Sequence, residues 1–111
     1  NRTTLSNQQL DRIKQQFLEG LEQKFDLEQL ALSVGLSKFQ FLRQFKGATG
    51  MTPHAYLKRF RLECAKKALM RAGSAINTAF ELGFFDQSHF NKAFKRAFLT
   101  TPAHFQKRVT P

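Results

Sequence analysis

Two stretches of the chain, residues 35–53 (GLSKFQFLRQFKGATGMTP) and residues 83–102 (GFFDQSHFNKAFKRAFLTTP), decide the fold because they repeat one pattern. Eight positions of the first stretch recur 49 residues later, each with its role as cap, core residue, charge or proline. The first set is Ser37, Phe41, Arg43, Phe45, Lys46, Ala48, Thr52 and Pro53, and the second is Asp86, Phe90, Lys92, Phe94, Lys95, Ala97, Thr101 and Pro102. An internal repeat of this length indicates that one supersecondary unit occurs twice.

The residues just before each stretch indicate what that unit is. At an offset of 48 residues, Ala31, Val34 and Gly35 match Ala79, Leu82 and Gly83. Each copy therefore has an alanine, a glycine four residues later and then a capped helix. A small residue lets two helices cross closely, and glycine accepts the left-handed backbone of a tight turn. We therefore predict two helix-turn-helix units.

Apolar periodicity and capping residues predict an all-α fold of seven helices, with no competing strand pattern. The expected helix starts are, in order, Ser6 or Asn7, Asp26, Ser37, Thr52-Pro53, Ser74, Asp86 and Thr101-Pro102. The fourth helix is expected to reach Ala72, and the fifth to run from Ser74 to Leu82. Gln29 and Gln40 stand three residues after their caps and predict two capping boxes.

Helical spacing also predicts the buried side chains. They are Leu10, Ile13, Phe17, Leu18 and Leu21 in the first helix, Phe41, Phe45 and Ala48 in the third, and Met51 and Met70 as fillers of core gaps. The helices divide the chain into a first subdomain (about 6–52), a long central linker helix (about 53–72) and a second subdomain (about 74–108). The linker would be about 30 Å long, close to the roughly 34 Å repeat of DNA. One copy of the chain would then reach two successive major grooves.

Composition points to a polyanionic partner. The chain has 111 residues, 41% hydrophobic with 13 Phe, which suffices for a core. Its formal net charge is +10, and residues 37–111 carry fourteen basic against three acidic side chains. Such a field attracts nucleic acid or anionic lipid. We expect a soluble, cytoplasmic protein, since no apolar run or signal segment occurs.

The faces opposite the predicted core carry candidate base contacts. The third helix (about 37–49) presents Phe39, Leu42 and Arg43 outward, and the sixth (about 86–98) presents Gln87, Ser88, Asn91 and Lys92. Gln and Asn pair with adenine, Arg and Lys donate to guanine, and apolar side chains contact the thymine methyl. Burial of Phe39 beneath the first helix is the alternative. Expected phosphate contacts are Lys38, Lys46, His89, Lys95 and Arg96, with a packing role left open for His89.

These residues resemble the DNA-binding domain of the AraC/XylS family of bacterial transcription regulators. The resemblance covers about residues 10–109 and is carried by the run from Gly83 to Lys95 with Thr101-Pro102 and Phe105. A second part matches at 37–45, 49–53, 56–57, 61–62 and 65. It implies seven helices in two helix-turn-helix subdomains, with promoter binding that activates or represses transcription. Leu99 departs from the pattern, because the family commonly has glycine there.

The resemblance also implies partners. They are double-stranded promoter or operator DNA, RNA polymerase, and an effector small molecule that would act only through another domain absent from this chain. Because the chain begins at Asn1 without Met, we expect a piece of a longer regulator. Cofactors, metals and membrane contacts are not expected.

Other functions are weighed against this one. A non-specific nucleic-acid-binding or architectural protein is the alternative, but the compact Gln, Ser, Asn and Lys set favours base recognition. An enzyme is not expected, because paired carboxylates, a Ser/His/Asp set and a phosphate loop are missing from the sequence. Cys64 lies among apolar residues and is expected to pack. His54, His89 and His104 lack metal-ligand spacing.

Overall fold

The computed structural model describes residues 4–21, 24–71, 82–84 and 86–109. Regular structure in these residues is entirely helical, which confirms the all-α prediction. The six helices are α1 (Asn7–Glu19), α2 (Leu27–Ser33), α3 (Lys38–Thr49), α4 (Pro53–Met70), α5 (Gln87–Phe98) and α6 (Pro102–Val109). The helix predicted at 74–82 lies outside the described residues, apart from Leu82, which stands in a turn. The chain divides into two compact units, Asn1–Leu57 and Lys58–Pro111.

The first unit is built around phenylalanines. Phe17, Phe41 and Phe45 are fully buried. The ring of Phe17 meets Phe25 edge-on with centroids 5.0 Å apart, and Phe45 meets Tyr56 in the same way at 5.3 Å. Edge-to-face pairs of this kind add to the free energy gained from burying apolar area. The core of this unit therefore lies where α1, α3 and the start of α4 contribute aromatic rings.

Polar side chains of α1 hold the end of α2. Gln9 Nε2 donates to the Val34 carbonyl at 3.2 Å, and Arg12 Nη1 donates to the Ser33 carbonyl at 3.1 Å. Gln16 Nε2 also donates to Ser33 Oγ at 2.8 Å. The last carbonyls of a helix have no partner within the helix. These hydrogen bonds supply partners and fix the helix that precedes the turn into α3.

The second unit repeats this arrangement with its own rings. Phe90 and Phe94 are fully buried. Phe94 contacts Phe98 at 4.7 Å and Phe105 at 5.7 Å between centroids. Gln106 Nε2 donates to the Leu69 carbonyl at 3.0 Å and so joins α6 to the end of α4.

The repeat extends to the caps. Ser37 and Asp86 cap α3 and α5. Thr52 Oγ1 accepts the Ala55 N–H at 3.2 Å, and Thr101 Oγ1 accepts the His104 N–H at the same distance. Gly35 and Gly83 both have positive φ, as predicted for the two turns.

Both central helices also end in the same way, although one lacks glycine. Gly50 (φ 77°) and Leu99 (φ 63°) both have a left-handed backbone. The Gly50 N–H donates to the backbone carbonyl of Lys46 at 2.7 Å, and the Leu99 N–H donates to that of Lys95 at 2.8 Å. Leu99 is the one described non-glycine residue with positive φ. The side chain of Leu99 is 88% exposed, so little apolar burial offsets the strain of this conformation.

Three predictions of burial are wrong. Leu18 is 52% exposed, Met70 is 57% exposed, and Ala48 is exposed. In α3, Gln44 is buried together with Phe41 and Phe45, and its carbonyl accepts a hydrogen bond from the Leu5 N–H at 3.2 Å. Periodicity locates the apolar face of a helix, but the neighbouring segment decides how far along that face burial extends.

One capping prediction is also wrong. Asp26 caps α2 by accepting the Glu28 N–H at 2.8 Å, rather than through a box with Gln29. A short Asp carboxylate readily bonds to the N–H two residues on. The predicted box of Ser37 and Gln40 is confirmed, with hydrogen bonds of 3.0 and 3.2 Å. A further box joins Ser6 and Gln9 at the start of α1.

Candidate nucleic-acid interface

Helix α3 presents an apolar and basic face to solvent. The capping box of Ser37 fixes where the helix begins, and burial of Phe41 and Phe45 fixes its rotation. The remaining side, which we term the α3 outer face, consists of Phe39, Leu42, Arg43 and Lys46. Phe39 is 78% exposed, Arg43 and Lys46 are exposed and Leu42 is half-buried. The alternative that Phe39 is buried beneath α1 is therefore excluded.

Helix α5 presents a polar and basic face by the same construction. Asp86 accepts the His89 N–H at 2.7 Å, and Phe90 and Phe94 are turned into the core. The α5 outer face consists of Gln87, Ser88, Asn91, Lys92 and Lys95. All are exposed except Asn91, which is half-buried. The two outer faces occupy equivalent positions of the repeat but differ in chemistry, because Ser88 and Asn91 replace Phe39 and Leu42.

The predicted phosphate contacts are all accessible. Lys38, Lys46, His89, Lys95 and Arg96 are exposed. Lys46, Lys95 and Arg96 stand in the last turns of their helices, where a cation also interacts favourably with the helix dipole. The exposed imidazole of His89 lies beside the ring of Phe84, with the two ring centroids 6.2 Å apart.

A charged cluster on α4 was not anticipated from the sequence. Glu63 pairs with Arg59 at 3.0 Å and with Lys66 at 3.7 Å. Both cations also lie over the ring of Phe98, at 4.8 and 4.5 Å from its centroid. The spacing of three and four residues around Glu63 was the available signal. These two cations therefore have an acidic and an aromatic partner within the second unit.

Cys64 is a packing residue in the structure, as expected. It is half-buried, and burial raises the pKa of its thiol, with Glu63 raising it further and Lys67 opposing. A raised pKa leaves little thiolate near neutral pH, and the thiolate is the nucleophile. Within the ranges that the structure describes, His, Cys, Asp and Glu do not gather into any group of three suited to a metal ion. Nor does any described helix have the length and apolar character to cross a membrane.

A family model described as a helix-turn-helix domain matches residues 30–108, which is most of the chain. This range contains both repeated stretches, residues 35–53 and 83–102, and therefore both outer faces. The chain is an AraC-type helix-turn-helix DNA-binding domain. The function of this family is sequence-specific DNA binding in transcriptional regulation, and it is not an enzyme family.

The curated relatives of this AraC-type domain are longer proteins. The HTH-type transcriptional regulator MtrA of Neisseria gonorrhoeae is 28% identical over 102 residues, covering 91% of this chain and 34% of MtrA. The Right origin-binding protein of Escherichia coli K12 is 36% identical over 93 residues, covering 82% of this chain and 32% of that protein. The chain thus spans about a third of the length of these relatives.

Solved structures share the fold. A transcriptional regulator with an AraC-type domain from Chromobacterium violaceum superposes with a TM-score of 0.84 at 24% identity, with 92% of each chain covered. The DNA-binding domain of AdpA, a global transcriptional factor, superposes with a TM-score of 0.79 at 28% identity, covering 89% of this chain and 90% of that one. The AdpA domain was crystallised in complex with a target DNA.

Proposed function

We propose that this AraC-type domain binds promoter DNA through both outer faces, with α3 and α5 in adjacent segments of the major groove. The observation that carries this is the pairing of two capped helices, each with two buried phenylalanines behind and base-contacting residue types in front. The structure of AdpA with target DNA supports it, because that domain is similar in fold and in sequence. The finer architecture that we propose has seven helices, with α4 as the long helix between subdomains at about 6–52 and 74–108.

Each outer face has a distinct chemistry for bases. On α5, Gln87 and Asn91 would form paired hydrogen bonds with adenine, Lys92 would donate to guanine O6 or N7, and Ser88 suits either base type. On α3, Arg43 has the fork of donors that matches guanine, while Phe39 and Leu42 offer apolar contact. Both faces are accessible in the structure.

Phosphate contacts would come from exposed basic side chains on or beside these faces. Lys38, Lys46, His89, Lys95 and Arg96 have donors for phosphate oxygens and would position the domain without selecting bases. Neutralising several phosphates releases counterions, so affinity should fall steeply with salt.

The remaining partners belong to the longer protein. We propose contact with RNA polymerase, and effector binding through a separate domain, since the chain spans about a third of the curated relatives. A protein that binds promoter DNA acts in the bacterial cytoplasm.

Selection from a randomised duplex library of about 30 base pairs, repeated at two salt concentrations, tests the proposal. Two enriched blocks about 10 base pairs apart would support base contact by both helices. One block would restrict base contact to one outer face. No enrichment, with binding lost at the higher salt, would favour the alternative of a non-specific architectural protein.

A matched pair of variants tests the base contacts. Gln87→Ala should lower affinity for a selected site by about 1–3 kcal/mol and relax the base preference at one position. Lys107→Ala, at an exposed residue of α6 that belongs to neither outer face, should preserve that preference. Equal loss on selected and random duplex for Gln87→Ala would remove it from the base contacts.

A further inference from the structure

Phe39 has an exposure that the fold does not explain. Its side chain is 78% exposed on a basic helix face, whereas five other phenylalanines of the chain are buried. Leaving a large apolar side chain in water forgoes free energy that a partner surface could recover. Leu42, one turn further along the same face, extends the apolar surface. The α3 outer face thus has an apolar contact surface directly beside the donor group of Arg43.

The apolar surface formed by Phe39 and Leu42 can contact one apolar group on the base edges of the major groove. Among the four bases, only thymine carries a methyl group there, at C5, and the other groups are hydrogen-bond donors and acceptors. Cytosine has hydrogen at C5, and 5-methylcytosine carries the same methyl at the same carbon. An apolar surface in the groove therefore distinguishes pyrimidines by their C5 methyl.

We propose that the first unit recognises a C5-methylated pyrimidine, thymine or 5-methylcytosine, one base pair from a guanine. Phe39 and Leu42 contact the methyl group, and Arg43 donates to guanine O6 and N7. This rests on the proposed function, in that α3 must occupy the major groove.

The spacing of these side chains fits neighbouring base pairs. Residues four apart on a helix have Cβ atoms about 5–6 Å apart, and base pairs are stacked about 3.4 Å apart. The Cβ separation thus corresponds to between one and two base-pair steps, and the length of the arginine side chain lets Arg43 reach the pair next to the one that Phe39 contacts when α3 lies in the groove. A CG step would satisfy Arg43 alone, whereas the same step methylated at cytosine C5 satisfies both residues. Cytosine methylation would then convert a weak site into a good one.

The second unit provides an internal control. The position equivalent to Phe39 is Ser88, and the position equivalent to Leu42 is Asn91. These polar side chains gain nothing from a methyl group. Methyl dependence should therefore be confined to the half-site of the first unit.

The test uses this chain with a duplex selected as above. Each thymine is replaced in turn by deoxyuridine, which removes only the C5 methyl, and binding is measured by fluorescence anisotropy. At one position in the half-site of the first unit we expect affinity to fall about fourfold, as for one buried methyl group. Cytosine there should bind more weakly than thymine, and 5-methylcytosine should recover affinity.

Two variants link the effect to its residue. Phe39→Ala should reduce the difference in affinity between the thymine and deoxyuridine duplexes, leaving only the part due to Leu42, and because Phe39 is exposed its removal leaves the core intact. Ser88→Ala should keep the wild-type difference. If wild type does not distinguish thymine from deoxyuridine while Arg43→Ala still loses base preference, methyl recognition is wrong and DNA recognition stands. If wild type binds selected and random duplexes alike, both proposals are overturned.

Discussion

At the scale of single residues, the equivalent positions Gly50 and Leu99 show how a side chain affects the free energy of a left-handed backbone conformation. Both end a helix with the same hydrogen bond and a left-handed backbone. A Cβ added at Gly50 would meet nothing within 4 Å, so the cost of a side chain there is conformational rather than steric. For a non-glycine residue that cost is roughly 1–2 kcal/mol.

Exchanging these residues should therefore change stability in opposite directions. Leu99→Gly should raise the free energy of unfolding by about 1 kcal/mol, since Leu99 contributes little burial. Gly50→Leu should lower it by a similar amount. Urea denaturation followed by circular dichroism measures both, and a destabilised Leu99→Gly would show that Leu99 makes a contact worth more than its strain.

The thiol of Cys64 gives a residue-scale prediction about pH. Because burial raises its pKa, the folded state holds the proton more tightly than the unfolded state. The associated stability is present below the usual thiol pKa of about 8.5 and is lost as pH rises past it. Iodoacetamide should label Cys64 more slowly in the native protein than in urea at pH 8.5. Equal rates would mean that the thiol is not protected by packing.

At the scale of helices, the sequence predicted what is local and missed what depends on neighbours. The repeat, the caps Ser37 and Asp86 and the inward turn of Phe41 follow from spacing, because each involves residues within one helical turn or one repeat. The hydrogen bond between the Leu5 N–H and the Gln44 carbonyl joins residues far apart in the sequence, and helical spacing does not encode such a contact. The structure confirms the predicted exposure of the outer faces, whereas their contact with DNA stays a prediction.

The cap of α3 gives a prediction at this scale. Ser37→Ala removes the oxygen that accepts the Gln40 N–H at 3.2 Å. We expect unfolding to become easier by about 1 kcal/mol, measured as a shift of the urea midpoint. Ser88→Ala makes the same chemical change at an exposed position inside α5 and should stay within about 0.5 kcal/mol of wild type. A similar loss in both variants would contradict a specific capping role.

At the scale of the whole molecule, the distribution of charge should determine how strongly DNA binding depends on salt. The formal net charge of the chain is +10, and all of the positive excess lies from residue 37 onward, because the first 36 residues carry one more acidic than basic side chain. Some cations are engaged within the fold, as Arg59 and Lys66 are with Glu63. The exposed cations beside the outer faces should therefore set the salt dependence of binding.

Removing one of them should weaken binding to all sequences alike. For Lys95→Ala we expect similar losses on selected and random duplexes and a salt slope flatter by about one unit. Lys107→Ala removes the same charge from α6 and should change the slope less. The measurement is the dissociation constant over a series of salt concentrations, and an unchanged slope for Lys95→Ala would exclude Lys95 from phosphate contact.

The unlike chemistry of the two outer faces has a consequence for promoters. A two-fold symmetric dimer binds a palindrome and cannot distinguish its left from its right. One copy of this chain carries the apolar, arginine-bearing α3 outer face and the polar α5 outer face. An operator that matches both faces would therefore not be a palindrome. In the proposed binding mode, this domain would therefore bind such an operator in one orientation only, and inverting the operator would reverse the orientation of the bound domain.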